Sequence, residues 1–198
     1  MNSFTIYSPG CSGSDQMKKC LQATGMRDVS ASHNRHIKNP PNHKRKTLFL
    51  YSDPRNLLIS YINRGCYDNF LFNHCRNIGG DCSYIDKHPK LSLVKVLKDK
   101  YDPLKLEEHF MMWLETSIER KIMMLKYEAL ENPKTYQKVL DFFGVKEKRN
   151  KFPWKPRSSS YLKLPLEQQI SITNLFKNLL EIQNKLPDYF IKEKRCIK

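Results

Sequence analysis

Polar and apolar positions alternate in blocks along this chain, and the blocks set out an α/β order. Phe4-Thr5-Ile6-Tyr7 and Thr47-Leu48-Phe49-Leu50-Tyr51 are short β-favouring runs with sharply polar flanks. The second reads as a strand buried on both faces, as parallel strands are. Met26 to Ser32 suggests a further, loosely patterned strand, and Lys121 to Glu128 another buried one. Helical spacing fills the intervals. Gln16 to Thr24 predicts a helix ended by Gly25, and Asp53-Pro54 opens a helix whose apolar side is Leu57, Leu58 and Tyr61. Leu91 to Lys100 and Pro103 to about Glu119 follow, the latter with Leu106, Phe110, Trp113 or Leu114, and Ser117 on one side. Tyr136, Val139, Leu140 and Phe143 make a core-facing stripe, and Ile172, Leu175, Phe176 and Leu179 mark a last helix from Pro165 to Leu186. Arg64 to His88 lacks a clear period beyond one short helix near Phe70 to Arg76, and the tail after the last helix reads as frayed.

Composition narrows this picture. A chain of 198 residues with 39% apolar and 11% aromatic residues suits one globular α/β domain with a proper core. No apolar run approaches the roughly 20 residues of a membrane span, and no charged-then-apolar leader opens the chain, so a soluble, cytoplasmic protein is expected. The formal charge of +15 implies anionic partners: a nucleotide, an acidic or sulfated acceptor, or nucleic acid. A solvated basic face serving solubility explains the same charge, because it is spread along the chain, with concentrations at Lys44-Arg45-Lys46, from Lys146 to Arg157 and in the tail. Six cysteines show no Cys-x-x-Cys pair. Cys66, Cys75 and Cys82 with His74 and His88 have metal-ligand chemistry, but their irregular spacing favours structural thiols in a reducing compartment.

Two turns carry candidate chemistry. After the first strand comes Ser8-Pro9-Gly10-Cys11-Ser12-Gly13-Ser14-Asp15, a glycine-bearing loop that opens a helix. Its glycines allow the tight turn that brings backbone N–H groups to an anion. Ser52-Asp53-Pro54 likewise ends a strand and opens a helix. Neither is the nucleoside-triphosphatase loop, since no Gly-Lys-Ser/Thr is present. An ordinary strand–helix corner accounts for either turn taken alone.

Taken together, in order, these segments resemble sulfotransferases that use 3′-phosphoadenosine-5′-phosphosulfate (PAPS). Asp53, Pro54, Arg55 and Ser60 fit that family's 3′-phosphate segment, with Ser52 where its first Arg would stand. Ser12-Gly13-Ser14 match the Ser-Gly-Thr of its 5′-phosphosulfate loop, Asp15 falls on the following Thr, and Cys11 falls on the usual Lys. Trp113, Tyr127-Glu128-Ala129-Leu130, Asn132-Pro133 and Phe142-Phe143-Gly144 follow the family order. The basic stretch from Lys146 to Ser160 stands where the family has a loop closing over the 3′-phosphate, though Arg-Lys-Gly is absent.

The resemblance implies a three-layer α/β sandwich with a central parallel sheet, related to P-loop nucleotide kinases. It implies His33 as catalytic base, and Gly10, Cys11, Ser12, Gly13, Ser14 and Asp15 around the 5′-phosphosulfate. Arg55, Ser60, Arg157 and Ser158 would hold the 3′-phosphate, with Tyr127 on the adenine and Trp154 stacking there or packing on the domain. Arg35 or Lys18 is expected to replace the missing 5′ cation. PAPS, giving PAP, is then the cofactor; no metal and no membrane is implied. The acceptor is an unidentified hydroxyl or amine on a small molecule or glycan. The alternative is a fold of this kind with impaired catalysis that binds a nucleotide or an anionic polymer such as heparin or RNA.

Overall fold

The alternation within each strand decides which side chains meet which layer. In a computed structural model describing residues 4–33, 46–64, 70–115, 121–145, 152–153 and 160–192, five strands form one sheet: β1 (Phe4–Tyr7), β2 (Val29–Ser32), β3 (Lys46–Tyr51), β4 (Ile122–Lys126) and β5 (Tyr189–Lys192). Their order is β2-β1-β3-β4-β5, parallel throughout except for the antiparallel edge strand β5. Phe4, Ile6, Leu48, Leu50, Met123 and Leu125 point to one face, where they meet α1 (Ser14–Gln22) and α7 (Pro133–Phe143). Phe49, Tyr51, Ile122 and Met124 point to the other. That face is covered by α2 (Pro54–Arg64), α3 (Phe70–Ile78), α4 (Cys82–Lys87), α5 (Leu93–Asp99), α6 (Leu106–Glu115), α8 (Leu166–Leu175) and α9 (Lys177–Asn184). Helices therefore lie on both faces of a mostly parallel sheet, as the buried apolar runs require.

This strand order puts a topological switch point between β1 and β3. From β1 the chain passes through α1 to β2 on one side, then returns to β3 on the other side of β1. The turn after β3 leads into α2, which packs on the face opposite α1. Loops that leave neighbouring strand ends toward opposite faces open a crevice between them, and such crevices are where open α/β sheets bind ligands. The glycine loop and the Ser52-Asp53-Pro54 turn are these two loops.

Local signals explain the helix ends. The Asn132 side chain accepts from Lys134 N at 3.0 Å with Pro133 in the first turn, and Gly144 ends the helix at φ 76°. Three regions depart from the sequence reading. The expected single helix from Pro165 to Leu186 is broken at Phe176, whose φ of −107° and ψ of 19° lie outside the helix while its ring stays buried. Tyr189–Lys192, expected to fray, instead pairs with β4, and Lys192 Nζ donates to Trp113 O at 2.8 Å and Leu114 O at 2.6 Å at the C-terminal end of α6. The region expected to be irregular holds α3 and also α4, which Asp81 caps by accepting from Tyr84 N at 3.0 Å. Among the described residues no helix is long and apolar enough to cross a membrane.

Candidate functional site

The glycine loop turns by placing three residues in the left-handed region: Gly10 at φ 84°, Cys11 at 50° and Gly13 at 81°. Gly13 is the N-cap of α1 and supplies no side-chain cap, so the first-turn N–H groups of that helix point into the loop. The loop is tied down from several sides. Ser8 N donates to Ser32 O at 3.1 Å, the Ser12 hydroxyl to Leu50 O at 3.3 Å, and the Tyr61 hydroxyl to Pro9 O. Ser12 and Ser14 are buried, Cys11 and Gly13 half-buried, and Asp15 exposed. Lys18 lies one turn further along α1.

His33 arrives at this loop through strand register. Parallel pairing of Tyr7 with Ser32 brings the next residues, Ser8 and His33, side by side. His33 Nδ1 lies 3.1 Å from Ser8 Oγ and 3.4 Å from Ser8 O, while Gly10 N donates to the same Oγ at 3.2 Å. With its proton on Nδ1, facing two oxygens of Ser8, the imidazole leaves a lone pair on Nε2 for a base. Ser8 is thus a positioning residue. If His33 serves as a general base, Ser8→Ala is expected to lower turnover about tenfold, a barrier change of roughly 1.4 kcal/mol, while affinity for a ligand on the loop moves less than threefold. Steady-state kinetics beside a binding titration checks this.

At the other turn the chemistry is more tightly committed. Arg55 forms a bidentate pair with Asp53, Nη2 to Oδ2 at 2.6 Å and Nε to Oδ1 at 3.0 Å; it also reaches Thr173 Oγ1 at 3.3 Å and stacks on Tyr161 at 3.7 Å. Burial works to depress the guanidinium pKa, but the hydrogen bonds and charge of Asp53 outweigh it and hold the pKa above its ordinary value. Asp53 Oδ1 also accepts from Arg55 N at 2.9 Å, which confirms the expected helix start. The Ser52 hydroxyl donates to the Glu128 carboxylate, and Asp53 N lies 3.4 Å from the same oxygen. Ser60 lies on α2 and is buried. Arg55 and Asp53 line a polar cavity of about 290 Å³ with Lys126, Thr173, Lys177 and Gln183.

Tyr127 joins the two regions. It follows β4 directly, is buried, and lays its ring against the Gly13 backbone, with its hydroxyl 3.4 Å from Gln16 Oε1 and Phe152 edge-on at 6.4 Å. The structure thus brings together the glycine loop, His33 and Tyr127, with Arg55 and Ser60 on the neighbouring helix. Arg157, Ser158, Trp154 and Arg35 lie outside the described residues. Of the metal candidates, Cys66 also lies outside them. Cys75 Sγ donates to Pro103 O, and His88 Nδ1 lies 2.7 Å from Tyr84 O. Among the described residues no group of three His, Cys, Asp or Glu is arranged to hold a metal.

Two residues at the site were not expected there. Glu128 places a carboxylate beside Ser52. His74 stands with its ring centroid 5.0 Å from that of His33. Its signal was present in the sequence: Leu71, His74, Cys75 and Ile78 share one helical face, so a histidine on that stripe points inward. Compared with protein-family models and with curated proteins, the chain matches none.

Proposed function

We propose that this chain is a PAPS-dependent sulfotransferase with a P-loop-kinase-like sandwich, transferring a sulfuryl group to a hydroxyl or amine. One observation carries the reading: a histidine held by Ser8 beside a glycine loop, at the switch point of a parallel sheet. The donor's 5′-phosphosulfate would lie on the N–H groups of Gly10 to Asp15, its adenine toward Tyr127, and its 3′-phosphate toward Arg55 and Ser60. In transfer, the acceptor oxygen or nitrogen forms a bond to sulfur as the bond from sulfur to the 5′-phosphate oxygen breaks. That bond's electron pair stays on the phosphate, and His33 Nε2 takes the acceptor's proton. Such chemistry asks for positioning and stabilisation of charge on the leaving phosphate. A cytoplasmic setting goes with this reading, in which Cys11, Cys20, Cys75 and Cys82 form no disulfide.

Calorimetric titration with PAP tests the reading. Micromolar binding is expected, and no heat at millimolar PAP overturns it. His33→Ala is expected to bind PAP within about threefold of the parent and to lose ~100-fold or more in sulfuryl transfer.

A second reading is favoured by the carboxylates at the 3′ turn. Glu128 accepts from Ser52, and Asp53 occupies Arg55. Each opposes a phosphate there, and each missing charge-assisted bond costs about 1.5–3 kcal/mol. In that case the protein is an impaired relative that binds an anionic polymer. Heparin retention with a steep salt slope and no PAP binding would select it.

A further inference from the structure

We propose that the polar cavity beside Arg55 is a site for a tetrahedral oxyanion, the phosphate or sulfate group of an ester, held by Lys126, Lys177 and the buried amide of Gln183. The cavity's geometry stands apart from the nucleotide reading; only the naming of its occupant as the 3′-phosphate rests on that reading. In that case the two lysines supply the positive charge that Ser52 does not.

Strand alternation brings in the first lysine. Parallel pairing sets Lys126 beside Tyr51, and Ile122, Met124 and Lys126 project from the same face of β4. Ile122 and Met124 are buried under the helices of that face. Lys126, at the C-terminal end of the strand, is half-buried and lines the cavity of about 290 Å³ instead. The facing wall is α9, where Lys177, Leu180, Glu181 and Asn184 recur at helical spacing and line the same cavity. Asp53 offsets the charge of Arg55, so two lysines against Glu181 leave the cavity net positive. Neither lysine makes an ion pair among the described residues, although Glu181 stands one turn from Lys177. Lys126 also borders an open cavity with Glu128, Glu131 and Asp188, and pairs with none of them.

Gln183 is the residue that points to a ligand. It is only 5% exposed, it lines this cavity, and its side-chain amide makes no hydrogen bond among the described residues. Burying an amide without a partner is unfavourable, and such groups mark contacts completed on binding. Its two N–H donors and the ammonium groups of the lysines suit the oxygens of a phosphate or sulfate group. On its other side Gln183 borders a narrow cavity with Tyr51, whose buried hydroxyl likewise has no hydrogen bond among the described residues. A role confined to Tyr51 gives a different result: replacing Gln183 would then lower stability and leave anion affinity alone.

The test is calorimetric titration of the full chain, Lys126→Met, Lys177→Met and Gln183→Met with PAP, adenosine 5′-phosphate and a sulfated heparin disaccharide, beside urea unfolding of each. For the 3′-phosphate, Lys126→Met should bind PAP about tenfold more weakly, and the more exposed Lys177→Met about threefold. Gln183→Met should weaken PAP about fivefold while its urea midpoint holds or rises, since an apolar side chain of similar shape replaces a buried amide that lacks a partner. Adenosine 5′-phosphate should bind all four proteins alike, and losses of equal size with it overturn the site. The same losses with the disaccharide and not with PAP uphold the site and assign its group to the acceptor. Parental affinity of Lys126→Met and Gln183→Met for both PAP and the disaccharide overturns the site while leaving the sulfotransferase reading intact. So does a Gln183→Met protein that loses stability without losing affinity. A parent that binds no PAP ends the sulfotransferase reading, and the disaccharide series then decides the site alone. If the parent binds neither, both fall.

Discussion

Gly13→Ala should be among the most destabilising single-methyl additions in this protein, lowering the unfolding free energy by about 3 kcal/mol. Two effects add at this position. Gly13 sits at φ 81°, where an L side chain costs roughly 1–2 kcal/mol. A Cβ there would stand 2.7 Å from Tyr127 Cδ2 and closer still to Cε2, and overpacking of this kind costs about 1–3 kcal/mol. Gly25 separates the two. Its φ is 85°, yet nothing lies within 4 Å of its would-be Cβ, so Gly25→Ala should show the backbone cost of ~1 kcal/mol alone. Tyr127→Ala removes the ring, and the double variant with Gly13→Ala should be less destabilised than the sum of the two by ~1–2 kcal/mol. Urea unfolding followed by tryptophan fluorescence measures all four. Equal losses at Gly13 and Gly25 would show that Tyr127 does not press on the loop. Any relief of the clash also moves Tyr127 from the start of α1, so affinity for the proposed nucleotide should fall with stability.

Where the chemistry was local, the sequence already announced it. The step from β3 into α2 was legible because Ser52-Asp53-Pro54 carries its own capping chemistry, and Asp53 does accept from Arg55 N. The β1 run and the glycine loop were legible for the same reason. What depended on partners far along the chain was not. Tyr189–Lys192 has too short a pattern to declare itself a strand, and only pairing with β4 makes it one. The break at Phe176 is likewise set by burial of its ring rather than by a proline or glycine. His33 was singled out by the family resemblance, but the oxygens that orient it come from Ser8 through sheet register. Glu128 reaches Ser52 across neighbouring strand ends, a contact no local pattern encodes. His74 is the instructive case, because the short helix expected near Phe70 to Arg76 contains it, while the inward stripe it shares with Leu71, Cys75 and Ile78 went unread.

Arg55→Ala and Asp53→Asn should move PAP affinity in opposite directions, and this pair of results locates the 3′ end of the ligand. The guanidinium is held by two hydrogen-bonded oxygens of Asp53 in a setting that is only 16% exposed for the arginine and 15% for the aspartate. Removing one partner of a fully buried pair costs ~3–5 kcal/mol; with water still reaching both groups, about 2 kcal/mol of stability is expected to go with Arg55. Its loss would also delete the charge-assisted contact proposed to the 3′-phosphate, worth about 1.5–3 kcal/mol, so affinity should drop roughly 10- to 100-fold. Asp53→Asn keeps an oxygen to accept from Arg55 N and Nε but removes the competing negative charge. The guanidinium then turns to the phosphate at less cost, and affinity should rise about tenfold even as stability falls by ~1 kcal/mol. Calorimetric titration of both variants with PAP and with adenosine 5′-phosphate, which lacks the 3′ group, completes the test. The opposite shifts should appear with PAP and vanish with the shorter nucleotide. If they persist with it, Arg55 acts on the fold and not on the 3′-phosphate.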